Sequence, residues 1–120
     1  MIDTPIFVKT YDFTLWLFNT TAKFPKHLRH SLTERIEKEV LDFTAHLIRA
    51  NRSRGRQRQS LLGDADCSLE VLRMYVRMSK DLKVLSERRY QYAAEKMDEL
   101  GRLLGGWIKQ SSVGEGERSK

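Results

Sequence analysis

The chain has 120 residues, the length of one domain on the usual scale of roughly 100–200 residues. Its residues are 40% hydrophobic, enough for one core, and 22 Lys and Arg against 16 Asp and Glu give a net charge of +6. Such a surplus favours polyanionic partners such as nucleic acid or an anionic membrane. Cys67 is the only cysteine, which excludes an intrachain disulfide and fits a reducing, cytoplasmic location. We read neither a signal peptide nor a run of 18 uncharged residues, so we expect no membrane-spanning segment.

The first predicted helix begins at Thr4-Pro5, since Pro at the first helical position gives up only an N–H that has no intrahelical partner. Its apolar residues form one stripe at helical spacing: Phe7, Tyr11, Leu15, Phe18 and Ala22. A second apolar stripe lies beside it, and we predict that another chain covers this surplus surface; a deep position in the chain's own core is the alternative. The predicted oligomer interface comprises Ile6, Phe13, Trp16, Leu17 and Trp107.

The second predicted helix begins with a capping box, in which Ser31 and Glu34 satisfy each other's backbone N–H groups. Its apolar face comprises Leu32, Ile36, Val40, Phe43, Leu47 and Ala50. It ends in a connection with five arginines and no acidic residue: Arg49, Arg52, Arg54, Arg56 and Arg58. Because guanidinium groups match phosphate oxygens, we interpret this connection as a contact for a polyanion or an acidic protein. An ordinary solvated connection is the alternative.

The third predicted helix covers residues 64–83, and its start could lie earlier because residues 57–62 contain no strong breaker. At about 100° per residue, Arg73, Arg77 and Lys80 fall within one stripe. The opposite side carries Val71, Tyr75, Met78, Leu82 and Leu85. We therefore expect the basic stripe to face outward, either as a solvated surface or as a binding surface.

Ser86 is the predicted cap of the fourth helix. Gly101, Gly105 and Gly106 interrupt its apolar pattern, and we favour close approach of another backbone there over a helix end near Leu104. No alternating run bounded by hairpin turns predicts a strand. The predicted fold is all-α, an up-down four-helix bundle over residues 1–110 with a flexible polar tail over residues 111–120.

No residue pattern indicates an active site. The sequence has no nucleophile elbow, phosphate-binding loop or dinucleotide fingerprint. His27 and His30 are far in sequence from Cys67, whereas a structural zinc ion takes four such ligands. We expect no catalytic residue, metal, cofactor, small-molecule substrate or membrane partner.

Several short motifs occur in order along the chain: Phe24-Pro25-Lys26, Ala65-Asp66, residues 72–78 (LRMYVRM) and residues 99–109 (ELGRLLGGWIK). Together they resemble the accessory variability determinant (Avd) proteins of diversity-generating retroelements, which are part of a broader four helix bundle protein family. The resemblance covers about residues 11–109. Each motif is weak alone, and the ordered set carries the resemblance.

The resemblance implies a cytoplasmic, non-catalytic accessory protein encoded by a prokaryote or phage. Avd proteins assemble as homopentameric barrels and bind the retroelement reverse transcriptase and template-repeat RNA or cDNA through a basic surface, which supports mutagenic cDNA synthesis (mutagenic retrohoming). Among the family's basic positions, the resemblance assigns Arg73, Arg77, Lys26 and Arg102 of this chain. The full predicted binding set is Lys26, Arg29, Arg49, Arg52, Arg54, Arg56, Arg58, Arg73, Arg77, Lys80 and Arg102.

Two alternatives stay open. One is the bundle protein encoded in intervening sequences of bacterial ribosomal RNA genes, whose usual Asn-Ile-Ala-Glu-Gly run is absent here. The other is a purely structural, self-assembling helical bundle. That alternative predicts nucleic-acid binding that disappears at physiological salt.

Overall fold

The computed structural model describes the backbone of residues 4–119 and the side chains of residues 4–112. Four helices account for nearly all of it: α1 (Pro5–Thr21), α2 (Glu34–Asn51), α3 (Gly55–Asp81) and α4 (Glu87–Ser119). Each helix packs against the next in the chain, and α1 also packs against α4. No strand occurs between residues 4 and 119. The prediction of an all-α fold with four helices is therefore confirmed.

Two helices are longer than their predicted bounds. α3 begins at Gly55, which has a φ of 59°, and continues without a break through residues 57–62. Glycine adopts this left-handed conformation without the steric penalty of a Cβ atom, so the chain reverses there and the next helix starts at once. α4 includes the backbone of residues 111–119, for which the sequence predicts a flexible tail; the mobility of that segment stays a prediction.

The predicted capping box at the start of α2 is wrong. Helical turns already follow Pro25, as a 3-10 turn (Lys26–Leu28) and a π-helical segment (Arg29–Thr33) that runs into α2. Ser31 therefore lies within a turn, and its hydroxyl donates a hydrogen bond to the carbonyl of Leu28 at 3.3 Å. A serine inside a turn bonds the preceding carbonyl and does not cap the next helix.

The core lies along the axis of the bundle, and α2 contributes its predicted face to it. Phe43, Leu47 and Val40 have 0% of their surface exposed. All buried hydrophobic residues among the described side chains belong to one cluster: Ile6, Phe13, Leu17, Ile36, Val40, Phe43, Leu47, Ala50, Leu62, Ala65, Leu69, Leu72, Val76, Leu85, Ala93, Met97, Leu100 and Leu104.

The structure reverses the predicted roles of the two stripes on α1. Ile6, Phe13 and Leu17, predicted to face another chain, are buried in the chain's own core. Three threonines of α1 are also buried, and the hydroxyl of Thr10 donates to the Ile6 carbonyl at 2.6 Å. Such a bond satisfies the hydroxyl within the helix, so a polar residue can lie in the core. These three apolar residues are consequently unavailable to a partner.

The two tryptophans of the predicted interface are half-buried within the chain. The Trp16 ring lies 4.7 Å from that of Tyr92, which joins α1 to α4. Trp107 packs edge-on against Phe7, with 6.0 Å between ring centroids. Both tryptophans therefore hold α1 onto α4.

The corner between α3 and α4 contains an unusual backbone conformation. Lys83 has a φ of 63°, and the N–H of Val84 reaches back to the Ser79 carbonyl at 3.0 Å. This arrangement is the helix ending in which glycine normally occupies the left-handed position. Ser86 caps α4 as predicted, because its Oγ accepts the N–H of Arg89 at 3.2 Å.

We expect Lys83→Gly to raise the free energy of unfolding by about 1 kcal/mol, because glycine removes the steric penalty of a left-handed residue with a Cβ atom. Urea denaturation followed by circular dichroism measures the change. Lys83→Ala is the matched control, since it removes the same charge but keeps the Cβ atom. An equal gain in both variants would assign the effect to charge and contradict the backbone explanation.

Candidate nucleic-acid interface

The basic stripe of α3 lies along the boundary with α4, and not on the outer face as predicted. Arg73 forms an ion pair with Asp98, and its Nη2 donates to the carbonyl of Met97 at 3.0 Å. The predicted orientation of α3 is wrong because two residues of its predicted core face, Met78 and Leu82, are 43% and 59% exposed. The true core face of α3 is rotated away from them and comprises Leu62, Ala65, Leu69, Leu72 and Val76.

Gly101 allows Arg73 to cross α4. A Cβ atom at Gly101 would lie 2.7 Å from Nη2 of Arg73, so the close approach predicted there is made by a side chain. Gly105 and Gly106 have nothing within 4 Å of an added Cβ atom, so no part of the described chain approaches them closely. The open groove beside Gly101 is lined by Asp66, Leu69, Glu70, Arg73, Asp98 and Arg102.

This groove is a poor phosphate site. Its three carboxylates offset its two guanidinium groups, and the guanidinium of Arg73 already has anionic and carbonyl partners. Arg77 lies further along the helix, exposed, 4.0 Å from the carboxylate of Asp81. Exposed pairs of this kind are weak, yet each reduces the local field that would attract a polyanion.

One arginine of the α2–α3 connection has a structural role. The Nε of Arg58 donates to the carbonyls of Ala50 at 3.0 Å and Ser53 at 2.9 Å, and its Nη2 reaches that of Asn51 at 3.4 Å. The last carbonyls of a helix lack intrahelical partners. Arg58 therefore caps α2 from the first turn of α3, a structural role that the sequence did not predict; its part in binding stays a prediction.

The other four arginines of the connection are exposed. None of them forms an ion pair among the described residues. They lie at the end of the bundle where α2 stops and α3 starts, and no acidic residue occurs from position 43 to position 63. Free guanidinium groups in an acid-free segment are suited to bind phosphate oxygens.

The predicted binding residues thus occupy three separate places. Lys26 and Arg29 are exposed at the α1–α2 corner, which is the opposite end of the bundle from the arginine-rich connection. Lys80 contacts the Tyr90 ring, with Nζ 4.6 Å from the centroid. The structure does not bring the predicted set together into one surface.

An exposed apolar face along α1 and α2 was missed by the sequence reasoning. Val8, Tyr11 and Leu15 on α1 are 46%, 56% and 51% exposed, and Leu41 and Ile48 on α2 are 51% and 44% exposed. The Thr21 hydroxyl donates to the Glu37 carboxylate at 2.7 Å, which identifies the side of α2 that faces α1. At about 100° per residue, the two α2 residues lie on this same side. We call these five residues the apolar face.

Among the described residues, no group of three or more His, Cys, Asp or Glu side chains is arranged to hold a metal ion. Cys67 is exposed.

Asp42 raises the pKa of Lys38, first through a side-chain hydrogen bond of 2.7 Å and then through its charge. No helix in the described part of the chain is long and apolar enough to cross a membrane.

Comparison with known proteins gives a family and a fold. A family model described as bAvd-like matches residues 6–111. No curated protein matches the chain. A solved structure from Bacteroides thetaiotaomicron VPI-5482, described as a protein with unknown function from the S23 ribosomal protein family, superposes with a TM-score of 0.77. The match covers 87% of this chain and 98% of that one at 14% identity, so it shows a shared fold alone.

Proposed function

Because the chain belongs to the bAvd-like family, we propose that it is a non-catalytic accessory protein of a diversity-generating retroelement. In this role it binds the retroelement reverse transcriptase and nucleic acid through a basic surface and supports mutagenic cDNA synthesis. The observation that carries the nucleic-acid part is the α2–α3 connection, where four exposed arginines lie in an acid-free segment. Arginine binds phosphate oxygens with two parallel N–H donors, which suits template-repeat RNA or its cDNA.

Self-association is part of the proposal. The apolar face leaves five large side chains between 44% and 56% exposed, and Met74, Met78 and Leu82 form a second exposed apolar group on α3. Exposed apolar side chains grouped in this way are typical of protein interfaces. Two different faces on one chain favour a head-to-tail contact between neighbouring chains. Such contacts close into a ring when the rotation relating one chain to the next divides a full turn evenly. A homopentameric barrel is such a ring.

The proposed function predicts a reverse transcriptase gene beside this one, and reconstitution with that enzyme tests it. We expect the chain to co-purify with that enzyme and to be required for cDNA synthesis from the template-repeat RNA. A variant with Gln at Arg52, Arg54 and Arg56 tests the arginine-rich connection, and we expect it to keep its helicity and to bind RNA more weakly than the wild type. Equal cDNA yield with and without the chain would contradict the proposal, as would a gene neighbourhood with no reverse transcriptase.

The S23 ribosomal protein family suggests a second candidate, because the neighbour with TM-score 0.77 carries that family name. A ribosomal role predicts that the chain co-sediments with ribosomal particles at physiological salt. The same protein preparation decides between the candidates. Co-sedimentation with ribosomal particles, together with no effect on the reverse transcriptase, favours the ribosomal role.

A further inference from the structure

Positive charge is concentrated at the two ends of this bundle. The first end, which we call the arginine cap, comprises residues 49–60 and residues 107–112 and holds six Lys and Arg with no acidic residue. Its position follows from topology, because the α2–α3 connection lies beside the amino-terminal turn of α1 and the later turns of α4. Thr4, Arg58 and Gln110 line one cavity there.

The opposite end, which we call the corner cap, joins the α1–α2 and α3–α4 corners. It comprises residues 22–35 and residues 80–91, with eight Lys and Arg against three Asp and Glu. Seven of these basic side chains are exposed: Lys23, Lys26, Arg29, Arg35, Lys83, Arg88 and Arg89. The π-helical segment Arg29–Thr33 is part of it, and such segments are frequent at functional sites. Only Lys26, Arg29 and Lys80 of the corner cap belong to the binding set predicted from the sequence.

Between the caps lies an acidic belt. It comprises residues 5–21, 36–48, 61–79 and 92–106, with ten Asp and Glu against six Lys and Arg. The four ion pairs among the described residues all take their basic partner from the belt: Lys9, Lys38, Arg73 and Arg77. The basic residues of both caps form no ion pair in the described part of the chain. The belt is thus net negative, with four of its six basic residues paired, whereas the caps are net positive and their basic residues are unpaired among the described residues.

The distance between the caps makes them electrostatically independent. α2 has 18 residues, which at about 1.5 Å per residue separates the caps by about 27 Å. The Debye length at physiological salt is about 8 Å, so each cap attracts phosphates on its own and the belt between them repels a strand laid along the side. Within the described side chains, neither cap exposes a Phe, Tyr or Trp ring, and the exposed rings of the corner cap are the imidazoles of His27 and His30. The caps therefore lack large stacking platforms for single strands and are better suited to the phosphate backbone of a duplex.

We propose that the corner cap is a second nucleic-acid contact, so that each chain holds two separate duplex segments, one at each end. This inference rests on the proposed nucleic-acid function and extends it. A chain with two such ends acts as a bridge: it can hold a structured RNA at one end and a second helical segment of RNA or RNA–cDNA hybrid at the other.

Three variants with equal loss of charge test the proposal. The arginine-cap variant carries Gln at Arg52, Arg54 and Arg56; the corner-cap variant carries Gln at Lys26, Arg88 and Arg89; the belt control carries Gln at Lys9, Lys38 and Lys96, none of which belongs to the predicted binding set. Eight of these side chains are exposed and Lys96 is half-buried, and Arg58 and Lys83 are left intact because they shape their corners. Calorimetric titration with a short RNA duplex gives the number of duplexes bound per chain, and repetition at several salt concentrations gives the salt slope.

We expect the wild-type chain and the belt control to bind about two duplexes per chain at 0.15 M salt, and each cap variant about one. For a duplex, each phosphate contact contributes about 0.9 to the slope of log binding constant against log salt concentration. The loss of three contacts should therefore lower the affinity of the affected end about a hundredfold. Full binding by the corner-cap variant, with loss confined to the arginine-cap variant, would overturn the second contact and leave the proposed function standing. Loss of reverse transcriptase binding in the corner-cap variant, with two duplexes still bound, would also overturn it in favour of a protein contact. No duplex binding by the wild type would overturn both proposals.

Discussion

If the chain self-associates as proposed, replacing Leu15 and Ile48 with Glu is expected to leave it monomeric. Both side chains belong to the apolar face and are 51% and 44% exposed. A contact through this face would bury two unpaired carboxylates, and the desolvation of charged groups without partners is expensive. We expect the dissociation constant for self-association to rise at least about a hundredfold, or roughly 3 kcal/mol. Light scattering over a range of protein concentrations measures the change.

A matched control distinguishes disruption of the apolar face from the effect of two added negative charges. Gln91→Glu with Gln110→Glu adds the same charge at exposed positions on α4, outside the apolar face. This control is expected to keep the wild-type mass and helicity. An unchanged mass for the variant with Glu at Leu15 and Ile48 would place the contact elsewhere, and a monomeric wild-type protein at micromolar concentration would contradict self-association altogether.

The sequence predicted the four helices because their signals are local. Pro5 at the start of α1, Ser86 before α4 and the periodic apolar face of α2 each act within a few residues. The ordered motifs also predicted the resemblance to Avd proteins, which the family match confirms. These features require no knowledge of how the helices pack.

The orientation of α1 could not be read from the sequence. It carries two apolar stripes of similar size, so hydrophobic periodicity alone does not select the buried one. Which stripe is buried depends on contacts with α4, where the Trp16 ring packs against Tyr92 and the Lys9 ammonium lies 3.8 Å from the Glu99 carboxylate. Threonines on the buried side obscured the pattern further, because their hydroxyls are satisfied by bonds within the helix. The exposed stripe, and with it the apolar face, becomes visible only when the neighbouring helices are in place.

The basic residues show the same limit of sequence reasoning. Composition located the arginine-rich connection but could not separate its exposed arginines from Arg58, whose partners are set by the chain reversal at Gly55. Helical spacing placed Arg73 and Arg77 on one stripe, yet the position of Asp98 on α4 decides that Arg73 is paired. Long-range partners therefore determine which cations are available for a ligand.

The largest stability effect within the connection is expected at Arg58. Arg58→Ala removes the donors from the carbonyls of Ala50 and Ser53, and Ala50 has 0% of its surface exposed. Hydrogen bonds to charged groups contribute about 1.5–3 kcal/mol. We expect the free energy of unfolding to fall by about 2–3 kcal/mol, measured by urea denaturation.

Arg56→Ala provides the opposite result in the same segment. Arg56 is exposed and has no partner among the described residues, so its loss should change the free energy of unfolding by less than about 0.5 kcal/mol. RNA affinity at physiological salt should fall about fivefold for the loss of one phosphate contact. Arg58→Ala, studied below its unfolding transition, should bind RNA nearly as well as the wild type. Equal losses of stability in the two variants would show that the cap on α2 does not depend on Arg58. A loss of stability only in Arg58→Ala, with a loss of RNA affinity only in Arg56→Ala, would show that Arg58 shapes the connection and that Arg56 contacts the RNA.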